Sequence, residues 1–281
     1  MPLYNPKALV LTGYGINCDY ETLQACRAAG FEARRVHLND VLESEEGFSA
    51  YALVVFPGGF TFGDDLGSGV AFAAKVRFSV AQSGKKLYDL LMEYVHRGGL
   101  VLGICNGFQI LVRLGIIPAC RWRYGEQQAT LAPNTGGYFI DRWVNLKVEK
   151  KCKNIFTRGM ESLRLPLRSG EGRFLARDAG MLDLMEQQGH VCMRYCNERG
   201  EPAQDFYHNP NTSQNAIAGI SDPSGRVLGI MPHPEAGMSV YQYPDWTRLK
   251  AENKGFQHPQ KGQGYRVFRN AYNYLIQGGE K

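Results

Sequence analysis

The chain carries at positions 100–107 the sequence Leu100-Val101-Leu102-Gly103-Ile104-Cys105-Asn106-Gly107. The apolar run predicts a short buried strand, and the Gly-x-Cys-x-Gly turn predicts a nucleophile elbow, a sharp strand-to-helix connection more familiar with serine at its centre. In such an elbow Cys105 projects at the carboxyl end of the strand, where the N-terminus of the following helix favours a thiolate. A buried cysteine between two packing glycines gives the same pattern, so this motif alone leaves both interpretations open.

A histidine motif follows a second short apolar run at positions 227–231 and reads Pro-His-Pro-Glu at 232–235. Because the carboxyl ends of parallel strands meet at one edge of an open sheet, His233 can reach Cys105. Glu235 points the same way if the segment stays extended, so its carboxylate can orient the imidazole, and the flanking prolines restrict the backbone. We therefore predict a catalytic triad of Cys105, His233 and Glu235 in preference to a turn with a surface histidine.

A glycine turn follows a third apolar run, Ala52–Phe56, and reads Pro-Gly-Gly-Phe at 57–60. Attack of a thiolate on a carbonyl group creates an oxyanion, which backbone N–H groups must stabilise. A Gly-Gly turn can present its amides without Cβ clashes, and we predict that the N–H groups of Gly59 and Asn106 form this oxyanion hole. Taken alone, the Pro-Gly-Gly sequence is more typical of an ordinary turn.

Together these elements resemble the class I (triad-type) glutamine amidotransferases, over nearly the whole chain to about residue 240. The segments that carry the likeness are Ala8–Asp19, Phe56–Asp65, Gly103–Gln109, Ser169–Phe174, Asn209–Asn211 and Gly229–Glu235. The Cys-Asn-Gly-Phe-Gln elbow at 105–109 and the Gly-Gly-Phe-x-x-Gly-Asp stretch at 58–64 are most similar to one subfamily, the glutaminase components of phosphoribosylformylglycinamidine synthase, an enzyme of purine biosynthesis.

This resemblance implies an enzyme that hydrolyses L-glutamine to glutamate and ammonia through a thioester on Cys105. It also implies substrate contacts at Gly58 and Gln109. The resemblance places ATP and magnesium in a larger synthetase subunit that receives the ammonia, so we expect no cofactor and no metal site in this chain. It further implies a cytoplasmic location and leaves an additional small subunit open.

The sequence departs from the subfamily pattern at three kinds of position. Gly67 and Ser68 stand where a basic residue is expected, and Ser169 stands where histidine is usual. The stretches 120–128 and 237–264 resemble enlarged loops. None of these positions belongs to the predicted triad, so they affect the docking surface and the acceptor rather than glutamine hydrolysis.

Three alternatives stay open at this point. A glutaminase of another amidotransferase pathway would carry the same triad. A cysteine hydrolase of the DJ-1 superfamily also uses an elbow cysteine, but that group usually has histidine at the position of Asn106 and does not need the Pro-His-Pro-Glu motif. A non-catalytic regulatory relative commonly lacks the cysteine or the histidine, whereas both are present here.

Composition narrows the class of protein further. The chain has 281 residues, a formal net charge of +5 and seven cysteines without a CxxC pair. These features predict reduced thiols, with Cys192 and Cys196 in the core, rather than a disulfide framework or a zinc site. The denser basic residues between Arg142 and Arg177 favour a solvated face over an acidic partner. We find no apolar run long enough for a membrane helix and no nucleic-acid-binding motif.

The order of elements predicts an α/β fold: a three-layer, open, mostly parallel sheet of the flavodoxin-like class I glutamine amidotransferase type, with antiparallel additions. The predicted strands are Ala8–Leu11, Ala33–Leu38, Ala52–Phe56, Leu100–Ile104, Trp143–Val148, Leu163–Leu167, Ala216–Ile220 and Val227–Met231. The predicted helices run from an Asp19 cap to Gly30, over Lys85–Arg97, from Asn106 to near Gly115, and over Tyr265–Ile276. We assign residues 1–281 to a single domain, with 237–264 as a surface loop insertion.

Overall fold

A nine-stranded mixed sheet forms the centre of the molecule in a computed structural model, which describes residues 5–44, 47–252 and 261–278. The strands are β1 (Lys7–Thr12), β2 (Glu32–His37), β3 (Leu53–Phe56), β4 (Leu100–Ile104), β5 (Ala129–Ala132), β6 (Ile140–Val148), β7 (Ser162–Ser169), β8 (Arg173–Ala176), β9 (Val191–Cys196), β10 (Ile217–Ser221) and β11 (Val227–Ile230). The helices are α1 (Asp19–Ala29), α2 (Leu38–Glu43), α3 (Val70–Phe78), α4 (Leu87–His96), α5 (Asn106–Arg113), α6 (Ala179–Gln188), α7 (Trp246–Ala251) and α8 (Gln263–Ile276).

The five strands on one side of the sheet are parallel and lie in the order β2-β1-β3-β4-β11. The chain moves from β1 to β2 in one direction and from β3 to β4 in the other. Right-handed crossovers therefore place the intervening helices on opposite faces of the sheet. The carboxyl ends of β1, β3, β4 and β11 meet at one edge, around the point where the winding reverses, which is the usual ligand-binding edge of such sheets.

The other side of the sheet continues as β10-β9-β6-β7, with every neighbouring pair antiparallel. A separate antiparallel pair joins β5 to β8. The predicted fold class, a mostly parallel sheet with antiparallel additions, is confirmed. The central strands are uniformly apolar because helices cover both faces: all four residues of β3 and all five of β4 are buried.

Most predicted elements coincide with observed ones to within one or two residues, including β4 at its exact bounds. The sequence reasoning did not identify α2, α3, α6, α7 or the strands β5, β8 and β9 as elements. Helix α3 lacks a clear polar face and follows a loop of glycines, so its pattern carried little helical signal. Cys192 and Cys196 are buried in β9, as predicted.

The predicted helix cap at Asp19 is wrong. Cys18 occupies the N-cap position of α1 and makes no side-chain cap hydrogen bond. Asp19 is the first helical residue, and its carboxylate pairs with Arg35 at 2.8 Å and accepts a hydrogen bond from Thr12. The charge of Arg35 on the neighbouring strand therefore fixes the Asp19 carboxylate, which sequence spacing could not show.

The prediction that all seven cysteines are reduced differs from the structure at one pair. Cys152 and Cys192 are joined by a disulfide bond with their Cα atoms 5.1 Å apart. The backbone bond from Glu149 N–H to the Cys192 carbonyl holds the end of β6 against β9 and brings these two positions together. The cysteines at positions 18, 26, 105, 120 and 196 are free.

The two ends of the segment 237–264 lie together, between the turn at Pro234–Ala236 and the start of α8. Gly262 N–H donates to the Met238 carbonyl, and the described part of the segment contains α7. Asp245 pairs with Arg164 of β7 at 2.7 Å, so the segment packs along the edge strand. Its middle, residues 253–260, lies outside the described residues.

Candidate active site

Cys105 occupies a strained turn between β4 and α5. Its φ of 52° and ψ of −106° lie outside the regions that side chains ordinarily adopt. The Cys105 N–H donates to the Ile230 carbonyl at 2.8 Å, which extends the parallel pairing of β4 with β11 by one residue. The sulfur therefore projects at the carboxyl edge of the sheet, and strain of this kind is concentrated at functional sites.

The two glycines of the elbow are required by close backbone approach. A Cβ atom at Gly107 would lie 1.9 Å from the Phe56 carbonyl oxygen at the end of β3. A Cβ at Gly103 would lie 2.8 Å from the Gly107 carbonyl oxygen. Neither position tolerates a side chain without moving backbone, so the Gly-x-Cys-x-Gly pattern builds an elbow here and not simply a packed core.

His233 and Glu235 follow β11 and form a buried pair. Nδ1 of His233 lies 2.5 Å from Oε1 of Glu235, and the two residues are only 2% and 3% exposed. The predicted extended backbone is wrong, because Pro234–Ala236 form a 3₁₀ turn, yet the turn brings the carboxylate to the imidazole. The backbone N–H of His233 donates to the Pro166 carbonyl at 2.7 Å, so β7 also fixes this segment. With Nδ1 engaged, Nε2 is the ring nitrogen left for Cys105.

The electrostatic environment favours a charged imidazole. Burial acts to lower the pKa of His233, but the Glu235 carboxylate and the adjacent thiols of Cys105 and Cys18 raise it well above its ordinary value. His233 is therefore protonated at neutral pH in this arrangement. An imidazolium beside Cys105 stabilises the thiolate, which is the nucleophilic form of the side chain.

Cys18 is a second thiol at the site that the sequence reasoning missed. The carbonyl of Gly58 accepts hydrogen bonds from the N–H groups of Asn17 and Cys18, which holds this loop against the glycine turn. A Cβ at Gly58 would lie 2.8 Å from Cε1 of His233 and 3.3 Å from Sγ of Cys18. Since Cys18 follows β1, the rule that parallel strand ends share one edge was the signal that could have placed it there.

The two thiols differ in character. Burial raises the pKa of the Cys18 thiol, and His233 lowers it only in part. Cys18 is therefore a neutral thiol at neutral pH. Both cysteines stand at a helix N-terminus near His233, but of the two it is Cys105 that occupies the strained elbow between β4 and α5. The structure therefore favours Cys105 as the nucleophile.

The N–H groups predicted to form the oxyanion hole are available. Across the described ranges, neither the Gly59 N–H nor the Asn106 N–H donates a hydrogen bond. A Cβ at Gly59 would lie 2.7 Å from the Gly15 carbonyl oxygen, so only glycine fits this turn. The turn and the helix start thus carry two unused donors beside Cys105, while their role in binding an oxyanion stays a prediction.

The side chain of Asn106 anchors the elbow to the loop after β3. Its carbonyl oxygen accepts from the Thr61 hydroxyl at 2.7 Å, and its amide donates to Asp64 at 3.2 Å and to Gln109 Oε1 at 2.8 Å. Gln109 Nε2 in turn donates to the Glu171 carbonyl at 2.5 Å. Both ends of the Gln109 amide are therefore engaged within the protein, and the geometry favours a positioning role for a side chain predicted to touch the substrate.

Two residues that depart from the subfamily pattern lie in the walls of the site. Ser68 is buried, and its N–H donates to the Glu171 carboxylate at 3.1 Å. Ser169 is buried and accepts from Asn211 at 2.9 Å. Arg168, next to Ser169, offers its carbonyl to the Cys105 thiol at 3.4 Å. Both serines thus fix loops around the triad without touching it.

The chain is similar to known proteins over almost its whole length. A family described as CobB/CobQ-like glutamine amidotransferase domain matches residues 5–275. The phosphoribosylformylglycinamidine synthase subunit PurQ of Methanococcus maripaludis strain C7 is 38% identical over 274 residues, which cover 96% of this chain and 97% of that relative. The phosphoribosylformylglycinamidine synthase of Drosophila melanogaster is 30% identical over 278 residues, which cover 98% of this chain but only 20% of that longer protein.

A solved structure shows the same architecture. A chain of the PurLQS structure from Thermotoga maritima matches with a TM-score of 0.68 at 29% identity, covering 97% of this chain and 100% of that one. The similarity therefore extends over the sheet, the elbow and the histidine motif together.

Proposed function

The chain belongs to the CobB/CobQ-like glutamine amidotransferase domain family, and from this we propose that it is the glutaminase subunit of a phosphoribosylformylglycinamidine synthase. It hydrolyses glutamine and supplies ammonia to a synthetase subunit, which converts formylglycinamide ribonucleotide to formylglycinamidine ribonucleotide in purine biosynthesis. The near-complete coverage of PurQ relatives supports this assignment over a DJ-1-type hydrolase. The observation that carries it is the strained Cys105 turn beside a His233–Glu235 pair with an N–O distance of 2.5 Å.

Thioester formation uses the three residues in sequence. The Cys105 thiolate attacks the side-chain amide carbon of glutamine, and the oxyanion accepts hydrogen bonds from the N–H groups of Gly59 and Asn106. His233, protonated and held by Glu235, donates a proton to the leaving nitrogen, and ammonia departs. The glutamyl group is then bound to the Cys105 sulfur.

Hydrolysis reverses the proton transfer. His233, now neutral, accepts a proton from water, which attacks the thioester carbonyl at the same oxyanion site. The second tetrahedral intermediate expels the Cys105 thiolate and releases glutamate. Glu235 stabilises the imidazolium that forms again, so the site returns to its starting charge state.

The test of this site is labelling with a glutamine-like diazoketone, followed by intact mass measurement and peptide mapping. We expect one adduct on Cys105 that excess glutamine prevents, and no label on Cys18. Cys105→Ala, with its fold checked by circular dichroism, should take no label. Modification of Cys18 in place of Cys105 would overturn the assignment of the nucleophile.

We infer that the partner is a synthetase subunit, and the match to a chain of the PurLQS structure supports this. We place ATP and magnesium in that subunit, and we leave the requirement for an additional small subunit to reconstitution. A cytoplasmic location fits this pathway. Within the described residues, no helix is long and apolar enough to span a bilayer.

Exposed aromatic rings beside the site mark the surface where we place the synthetase. Phe60, next to Gly59, lies 6.0 Å from Phe139 between ring centres, and the Tyr138 and Phe206 rings lie 6.2 Å apart. All four rings are exposed, with Phe139 against Gly170 at the wall of the site. Aromatic residues are enriched at protein interfaces, and ammonia must leave through a covered route at this edge.

Reconstitution with the synthetase tests the coupling. We expect low glutaminase activity from the chain alone and a rise on mixing with the synthetase. Phe60→Ser with Phe139→Ser should weaken that rise, while Phe78→Ser, an exposed aromatic at the C-terminal end of α3, should leave it unchanged. Equal glutaminase turnover with and without the synthetase would contradict the coupling.

A further inference from the structure

Three metal-binding side chains converge behind the glycine turn. The thiol of Cys18, a ring nitrogen of His233 and a carboxylate oxygen of Glu235 all lie within 4.8 Å of one another. A tetrahedral zinc site needs ligand atoms roughly 3.5 Å apart, with bonds of about 2.0 Å to nitrogen and 2.3 Å to sulfur. Side-chain movements on the order of 1 Å would therefore close the three ligands around one ion.

The cluster also contains buried polar atoms that lack nitrogen or oxygen partners. Oε2 of Glu235 is buried and has no hydrogen-bond partner within the described chain, and the buried Nε2 of His233 has no nitrogen or oxygen partner there and interacts with the thiols of Cys18 and Cys105. Such atoms are costly to leave unsatisfied in a protein interior. The backbone around Cys18 is held independently, because its N–H donates to the Gly58 carbonyl at 3.1 Å. The Cys18 backbone is thus fixed where its thiol lies within 4.8 Å of a ligand atom on each of the other two side chains.

The ligand types select the class of ion. One sulfur, one imidazole nitrogen and one carboxylate oxygen suit zinc and similar borderline ions, whereas magnesium and calcium prefer oxygen ligands throughout. Three protein ligands leave one coordination position open.

We propose that Zn²⁺ binds Cys18, His233 and Glu235 and thereby inhibits the enzyme. Binding releases two protons to solvent, one from the Cys18 thiol and one from the His233 imidazolium, and forms coordinate bonds to sulfur, nitrogen and oxygen. His233 held by the ion can neither donate to the leaving nitrogen nor accept from water, so glutamine hydrolysis stops. Binding of the ion follows from the cluster alone, whereas the inhibitory effect rests on the proposed function.

Cobalt absorption tests the site without any catalytic readout. Co²⁺ is titrated into the full chain carrying Cys105→Ser, and thiolate-to-cobalt charge transfer is recorded in the near ultraviolet. We expect a saturable band that persists when Cys120→Ser is added and disappears when Cys18→Ser is added. No band in Cys105→Ser, or a band unaffected by the loss of Cys18, would overturn the site.

A second measurement uses the protein with its sequence unchanged. Zn²⁺ should slow the alkylation of Cys18 by iodoacetamide at least tenfold, as read by peptide mapping, without protecting Cys120 to the same extent. Equal rates at Cys18 with and without zinc would contradict the proposal. Because neither experiment needs glutamine, failure of the proposed function would leave both results interpretable.

Inhibition is then measured as the zinc concentration that halves each protein's own glutaminase rate. Cys18→Ser should raise this concentration at least tenfold relative to the unmodified chain, while Cys120→Ser should not change it. If Cys18→Ser leaves it unchanged, zinc acts through Cys105 and His233 alone and the proposed site is wrong.

Discussion

The two ends of the central sheet each bury a histidine, and the two rings have opposite properties. His233 and His190 are both 2% exposed. His233 follows β11 at the carboxyl edge and contacts a carboxylate, so its pKa is raised well above the ordinary value. His190 precedes β9 at the opposite edge and contacts the Ser221 carbonyl at 3.0 Å and the Gln188 amide oxygen at 3.2 Å.

Burial lowers the pKa of His190, and the Ser221 carbonyl and the Asp222 charge only partly oppose it. Equal burial thus gives a charged ring at one end and a neutral ring at the other. The difference is a carboxylate in direct contact with the ring, which compensates the cost of burying a charge. Burial alone therefore does not identify a catalytic histidine; its partner does.

Activity should separate the two histidines most strongly. His233→Asn removes the proton donor and acceptor, and we expect kcat to fall by about 10³-fold or more. His190→Asn should change kcat by about threefold or less, because it lies at the far end of the sheet. Glutaminase rates with the synthetase present measure both, with circular dichroism as the control for folding. Comparable losses in kcat would show that the two ends are not functionally distinct.

Removal of the carboxylate should make His233 resemble His190. Glu235→Gln keeps a hydrogen-bond acceptor but removes the charge, and we expect kcat to fall by about 10²-fold to 10³-fold. The pKa of His233 should fall as well, which moves the alkaline limb of the kcat/KM profile to lower pH. Rates across a pH series check this. An unchanged alkaline limb would mean that Glu235 does not set the charge of His233.

Stability should depend on His190 even though activity does not. His190→Ala leaves the Ser221 carbonyl and a cavity in the interior, and we expect a loss of about 2 kcal/mol in the free energy of unfolding. Chemical denaturation followed by circular dichroism measures this loss. The exposed His96→Ala is the comparison, with an expected change within about 0.5 kcal/mol. A loss at His190 no larger than at His96 would show that the contacts of the buried ring contribute nothing.

The pH dependence of stability should have opposite signs at the two ends. The folded-state pKa of His233 is raised, so its contribution is complete below about pH 6.5 and is lost as pH rises through the folded value. The folded-state pKa of His190 is lowered, so its contribution is present above about pH 6.5 and is lost as pH falls. Unfolding free energies of the chain minus those of each His→Asn variant, taken between pH 5 and 8, isolate each contribution. Slopes of the same sign would contradict the assignment.

Much of the catalytic edge followed from local sequence. The elbow required glycine at 103 and 107 because backbone lies where a Cβ would stand, and that requirement is visible as a motif. The placement of His233 beside Cys105 followed from the rule for parallel strand ends. The strands β4 and β11 are indeed parallel neighbours, with Ile104 opposite Ile230 at their carboxyl ends. The position of Glu235 was predicted with the wrong backbone, since a 3₁₀ turn and not an extended chain brings it to the imidazole.

Other features depend on partners far apart in the chain. Cys18 joins the site through contacts with Gly58 and His233, and no local sequence pattern distinguishes it from the other free thiols. Gln109, whose contact with the substrate stays a prediction, also belongs to a hydrogen-bond network because the Glu171 carbonyl accepts from its Nε2. Asp19 pairs with Arg35 and Cys152 with Cys192 for the same reason.

By itself the sequence determined the alternation of strands and helices, the elbow at Cys105 and the edge of the sheet where the chemistry lies. These depend on periodicity and on backbone geometry, which act over a few residues. The tertiary structure alone decided the charge of each buried histidine, the thiol that faces His233 and the anchoring of Asn106. These depend on electrostatic and hydrogen-bonding partners, and such partners are set only when distant segments pack together.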